Sequence, residues 1–171
     1  MKVRFILAPL LFLLIQGCGT IPFNPPVHEL AVESIPGFSV SGPVTINNAQ
    51  ENAEPVIIHS YGGTKYQSNY NEITETMVSQ AKFELERHGT MSGGNQEKTI
   101  GLKVTHLISK YIAFYWKGAM TFTVTLGNGE EFELSIEHGT GSGAAQDLSG
   151  SIADGVVALY KDERVKAYLA N

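Results

Sequence analysis

Between Ile100 and Ile136 the chain alternates. Ile100, Leu102, Val104, Ile108, Met120, Phe122, Val124, Leu126, Phe132, Leu134 and Ile136 hold even positions, while Lys103, Thr105, Thr121, Thr123, Thr125, Glu133, Ser135 and Glu137 hold odd ones. A period of two with one polar side predicts antiparallel strands that bury one face. The same pattern selects the turn. A two-residue Asn128-Gly129 loop would set Leu126 against Glu131 and mismatch the faces. A three-residue Gly127-Asn128-Gly129 loop sets Val124 against Phe132 and Phe122 against Leu134, with Gly129 in the left-handed position of a bulge.

Elsewhere the period is helical or the signals are short. From about Glu72 to His88, with Asn71 as N-cap and Gly89 in the C′ place, Ile73, Met77, Val78, Ala81, Leu85 and His88 fall within one arc of about 140°, and Phe83 falls opposite. Near the C-terminus Ile152, Val156, Leu159 and Tyr160 share a stripe that Val165, Tyr168 and Leu169 leave. A break near Lys161-Asp162, with Asp162 capping a short last helix, restores both stripes. Residues 38–46, around Gly42-Pro43, and 55–61 read as two strands, 64–70 as polar loop, and 139–150 as a glycine-rich loop.

The start of the chain has a different pattern. Lys2 and Arg4 precede an apolar stretch, Phe5 to Ile15, that ends in small and polar residues, as a secretory signal does. Ile15-Gln16-Gly17-Cys18 resembles the lipobox of bacterial lipoproteins. The resemblance implies cleavage before Cys18, a thioether-linked diacylglycerol on its sulfur and an acyl chain such as palmitate on its amine. At about 0.8 kcal/mol per buried methylene, such an anchor holds a protein on a membrane stably. Gly19 after the cysteine, by the sorting habit of enterobacterial lipoproteins, implies the outer membrane. Three prolines in residues 19–26 then predict an extended tether reaching about 25 Å at roughly 3.3 Å per residue. The expected organisation is a signal peptide over 1–17, a lipidated cysteine and tether over 18–26, and one domain over 27–171.

Composition narrows the function. The 171 residues contain a single cysteine, so neither an internal disulfide nor a cysteine-based zinc site can form. With 12 Lys+Arg against 17 Asp+Glu the net charge is −5, which argues against a nucleic-acid partner, and loss of Lys2 and Arg4 with the leader makes it more acidic still. No apolar run reaches the roughly 18 residues of a spanning helix.

Candidate chemistry is sparse. Residues 139–144 fit G-x-G-x-x-A, but the preceding strand closes an antiparallel meander rather than a βαβ unit. Thr140 and Ala144 stand where a nucleophile elbow around Ser142 needs glycines. His59, His106 and His138 share apolar or core-side positions without the spacing of a ligand pair, and are expected to hydrogen-bond backbone rather than a metal. Glu130, Glu131, Glu133 and Glu137 read as a solvated strand. The most distinctive stretch runs from Tyr111 through Trp116 between Lys110 and Lys117. Either Ile112, Phe114 and Trp116 continue the even core face as strand, or Tyr111, Phe114, Tyr115 and Trp116 form a partly exposed aromatic tip or edge that meets a protein or a lipid interface. With Phe83 they make up the candidate interaction surface.

Lipobox, proline segment, amphipathic helix, meander with a Gly-Asn-Gly turn and the Ile152-Ala153-Asp154 helix start together resemble the small, functionally uncharacterised lipoprotein family typified by YajG. The resemblance implies an envelope lipoprotein of α+β fold and supplies no catalytic residues. The expected fold is a two-layer α+β domain, an antiparallel sheet of about four to five strands against two helices plus a short C-terminal helix. The expected function is a non-enzymatic, lipid-anchored accessory, assembly or protein-interaction module facing the periplasm, without cofactor. The rival is a binder of lipid or another apolar ligand between sheet and helices. A hydrolase would need a polar cleft joining His138, Ser142 and an acid.

Overall fold

A computed structural model describes residues 19–171; the signal peptide expected over 1–17 and the lipidation expected at Cys18 lie outside the described residues. The strands are β1 (Gly19–Pro22), β2 (Phe38–Val40), β3 (Val44–Asn48), β4 (Val56–Tyr61), β5 (Thr64–Ser68), β6 (Gly89–Met91), β7 (Lys98–Ile112), β8 (Tyr115–Leu126) and β9 (Glu131–Thr140). The helices are α1 (Tyr70–His88), α2 (Ala144–Lys161) and α3 (Glu163–Ala170).

The meander forms with the register its alternation requires. Val124 pairs with Phe132 and Phe122 with Leu134. Gly129 has φ 88°, and the Leu126 amide donates to the Glu130 carbonyl across the three-residue loop.

The fold class is α+β, but the sheet is larger than expected and mixed. Seven strands run β1-β5-β4-β7-β8-β9, with β3 also on β7, and β2 pairs with β6 in a separate small sheet. β1 on β5, β3 on β7 and β4 on β7 are parallel pairs. Parallel partners come from distant segments, so no short-range period announces them. Residues 64–68, expected as loop, form β5 because the Gly62-Gly63 turn folds them back onto β4. The strand expected over 38–46 divides at Gly42-Pro43 into β2 and β3, which serve different sheets.

One irregularity redirects half of β7. Val104 pairs with Phe122 while His106 pairs with Thr121, leaving Thr105 as an extra residue. A one-residue bulge exchanges the faces. Beyond it Leu107 and Ser109 are buried, whereas His106, expected on the core side, is exposed.

The helix caps shift in the same local way. Asn69, rather than Asn71, caps α1 by accepting from the Glu72 amide at 2.8 Å. Gly89 leaves the helix at φ −77°, not in the left-handed region. Its lack of a side chain serves closeness instead, since a Cβ there would crowd the Leu85 carbonyl and the Val40 side chain. Most of the expected 139–150 loop is regular structure, because α2 starts at Ala144 and only 141–143 remain loop. Gly150 and Gly155 lie within α2, against His138 and Met120. These glycines permit close packing rather than flexibility. The break at Asp162 falls where expected, with its carboxylate accepting from the Arg164 amide at 2.9 Å.

The proline segment is not a free tether. Residues 19–22 add to the sheet edge, Phe23 is buried, and its amide donates to the Gln67 carbonyl. Further on, His28 exchanges hydrogen bonds with the Gln80 side chain, the Leu30 amide donates to Glu84, and Arg87 donates to the Leu30 carbonyl. Gln80 and Glu84 are buried polar residues of α1 that secure this strap. Residues 19–30 are therefore packed on the domain rather than free of it. Between sheet and helices the space is filled by Met77, Val78, Met120, Phe122, Ile152 and Val156, all buried. That is where the rival apolar ligand would have to sit.

Candidate interaction surface and the polar cluster beneath it

The aromatic run forms a hairpin tip. Ile112 pairs with Tyr115, and Ala113 and Phe114 make the two-residue turn between them at φ 41° and 80°. They are the non-glycine residues at positive φ among the described residues. Two-residue hairpin turns of this hand ask for Asn-Gly or Gly-Gly, and a Phe in this region is strained by about 1–3 kcal/mol. Phe114 is 90% exposed, and Ile112 and Tyr115 are also exposed. The reading in which Ile112, Phe114 and Trp116 continue the core face is thus overturned for Ile112 and Phe114, because the chain turns there.

The bulge in β7 decides which rings meet. It places Tyr111 on the same face as Trp116, and the two rings lie 4.9 Å apart. Tyr61, at the end of β4, sets its ring 4.4 Å from that of Tyr111 at a tilt of 35°. His59 lies 4.9 Å from Trp116 and 5.7 Å from Tyr66, and Tyr66 meets Phe23 edge-on at 6.1 Å. The rings form one continuous band from the chain after β1 to the β7–β8 hairpin. Tyr61, Tyr66 and Phe23 were missed from sequence because each is single in a short segment. Phe83 does not join this band. It sits on α1 with the Arg87 guanidinium 5.4 Å from its ring, a local cation–π pair.

Behind the band lies a polar row. Registers place Tyr66, His59, Ser109, Gly118 and His138 side by side across β5, β4, β7, β8 and β9. Gly118 leaves a gap, and Asp147 in the first turn of α2 fills it. A Cβ at Gly118 would strike the Ser151 hydroxyl and stand 3.0 and 3.1 Å from the two Asp147 oxygens. The Ser109 hydroxyl donates to Asp147 Oδ2 at 2.5 Å, while Oδ1 is buried without a hydrogen-bond partner. Burial pushes the Asp147 carboxyl above its ordinary range, and the Ser109 hydrogen bond, the charges of His138 and His59 and the Gly118 amide partly oppose this.

Two of the histidines are committed to partners in the fold. His59 Nδ1 lies 2.9 Å from the Ser109 carbonyl, the backbone bond expected of a buried-edge histidine. His138 Nδ1 instead meets the Asp154 carboxylate at 2.8 Å. Its Nε2 abuts Gly150 of α2 rather than Ser142. His106 faces away from both. On the solvent side Lys117 Nζ bonds Glu137 at 2.9 Å, and this bond and charge raise the lysine's pKa.

No family model matches the chain, which leaves the YajG-typified resemblance without support from that comparison. No curated protein matches it either. Among solved structures, lipoprotein GNA1162 from Neisseria meningitidis is similar over 72% of this chain and 96% of its own, at 13% identity and a TM-score of 0.30. A putative neuraminyllactose-binding hemagglutinin homolog from Helicobacter pylori is similar over 85% of this chain and 90% of its own, at 8% identity and a TM-score of 0.26. The first of these is a bacterial lipoprotein. Scores of this size lie below those of a shared fold.

Proposed function

We propose that the protein is a non-enzymatic, lipid-anchored lipoprotein of the bacterial envelope, held on the outer membrane through Cys18 and acting in the periplasm as an accessory, assembly or protein-interaction module. The observation that carries this reading is the lipobox-like Ile15-Gln16-Gly17-Cys18, which follows a cationic and apolar leader and places the single cysteine of the sequence where lipidation needs it. No helix among the described residues is long and apolar enough to cross a membrane; on this reading the acyl chains on Cys18 supply the attachment. A non-enzymatic role is supported by how the reactive side chains are used. His59, His138, Glu84 and Asp147 each hold another part of the fold.

The test is metabolic labelling with an alkynyl fatty acid. The wild-type protein is expected to incorporate label and fractionate with the outer membrane, and Cys18→Ala is expected to incorporate none. An unlabelled wild-type chain, or an equally labelled Cys18→Ala chain, overturns the anchor.

A further inference from the structure

The strand registers bring several segments to one end of the sheet. Gly19 pairs with Thr64, Thr64 with Tyr61, the Tyr61 ring meets that of Tyr111, Ile112 pairs with Tyr115, and Trp116 pairs with Thr140. The beginning of β1, the Gly62-Gly63 turn and the Ala113-Phe114 turn therefore face the same way. Cys18 directly precedes Gly19 in the sequence, so a lipid on it joins the chain next to strand β1. A lipid there has no tether to spend, and whatever bilayer receives it lies against this end of the domain.

The end is chemically suited to that position. Phe114 is 90% exposed, and Tyr61, Ile112, Tyr115 and Ile21 are each more than 40% exposed. Lys65 and Lys110 are exposed beside them, while Lys117, opposite Lys110 on β8, is paired with Glu137. The opposite end, around the β8–β9 turn and α3, carries charges of both signs, with Glu97, Glu130 and Glu163 beside Lys98, Arg164 and Lys166. The exposed rings, with Lys65 and Lys110, thus lie on the side of Cys18. Amphipathic rings with flanking lysines are the residues favoured at the headgroup level of a bilayer, and lysines are attracted to anionic lipid. The strained turn holds Phe114 outward, where it touches no core.

We infer that the end of the sheet formed by the β4–β5 and β7–β8 turns is a membrane-contact surface that docks on the headgroups of an anionic bilayer and fixes the orientation of the domain. The inference rests on the lipid anchor proposed above. It specifies the surface as a second, independent membrane signal beside the acyl chains. The β8–β9 turn and α3 then point into the periplasm.

Trp116 is the only tryptophan and lies in the ring band, so it reports on this surface. The full lipidated chain is reconstituted into vesicles of phosphatidylethanolamine and phosphatidylglycerol, with and without lipid brominated near the headgroup. Bromolipid is expected to quench Trp116 emission by about two-fold, consistent with interfacial placement. Phe114→Asp combined with Tyr115→Asp is expected to abolish the quenching while the protein still floats with the vesicles. A second variant, Ala113→Asn with Phe114→Gly, removes the tip ring without straining the turn and is expected to lose most of the quenching as well. Unquenched Trp116 in a wild-type chain that floats with the vesicles overturns the inference and leaves the anchor standing, whereas a wild-type chain that fails to float overturns the anchor itself. A photo-crosslinker at Phe114 in cells is expected to capture lipid. A discrete protein adduct from that position assigns the tip to a protein partner and overturns the inference.

Discussion

Strand β8 ends in two turns of opposite character. At Gly127-Asn128-Gly129 every residue suits its backbone, with glycine at the position that needs a positive φ, and acids lie close by. At Ala113-Phe114 neither residue suits its backbone, and the misplaced ring stands in solvent. One turn follows local preference and closes a meander. The other departs from it and leaves a strained, exposed aromatic, which is the combination expected where function rather than stability selects the residue.

The largest break in this contrast is expected at Gly118, where the tip end of β8 rests on α2. Gly118→Val places methyl groups where Ser151 and Asp147 already sit, and neither the sheet nor the helix can withdraw freely. A loss of about 2–3 kcal/mol is expected in urea unfolding. Gly141→Ala, whose added Cβ meets nothing within 4 Å, is the control and should change stability little. A Gly118→Val protein as stable as wild type would show that α2 does not bear on the strand there.

The turns themselves should respond with opposite signs. Replacing Ala113 by Asn and Phe114 by Gly is expected to raise stability by about 1 kcal/mol, because the residues then fit the turn. Gly129→Ala is expected to lower it by about 1 kcal/mol, because alanine resists φ 88°. Equal responses in a thermal melt would erase the distinction between the two ends.

The smallest effect concerns the buried carboxyl behind the tip. Burial raises the Asp147 pKa, so the stability it contributes is fully present when the group is protonated, below its unfolded pKa, and is lost as pH rises through the raised folded value. Asp147→Asn cannot ionise. The variant is expected to melt somewhat higher than wild type at neutral pH, with the difference closing as pH falls through the ordinary carboxylate range. A difference that grew toward acid would reverse the sign argued for Asp147.

The parts of the fold legible from sequence share a cause. The β8–β9 register, the interrupted C-terminal helix and the buried stripe of α1 all depend on residues within a few positions of one another. The parallel strands β1 and β3 depend on partners far along the chain, and their few residues carry no period of their own. His106 was misplaced by a single bulge, which no alternation pattern can display because the pattern resumes on the other face. The glycines of 139–150 resemble a loop in composition, yet Gly150 acts by letting His138 lie against a helix. In the candidate surface the hairpin aromatics stand out by local density, whereas Tyr61 and Tyr66 become partners only through sheet pairing, and Phe83 turns out to belong elsewhere.

What the sequence determined by itself was local: the lipobox-like cysteine, the meander and its turn, the helices and the aromatic run, each written within a short window. Tertiary structure decided that residues 19–22 form a paired strand instead of a tether, and that Gly19 lies toward the end where Phe114 projects. The physical reason is that strand pairing is non-local. Hydrogen bonds from Gly19 to β5, from β5 to β4 and from β4 to β7 bring the residue after Cys18 and the tip ring to the same end of one sheet.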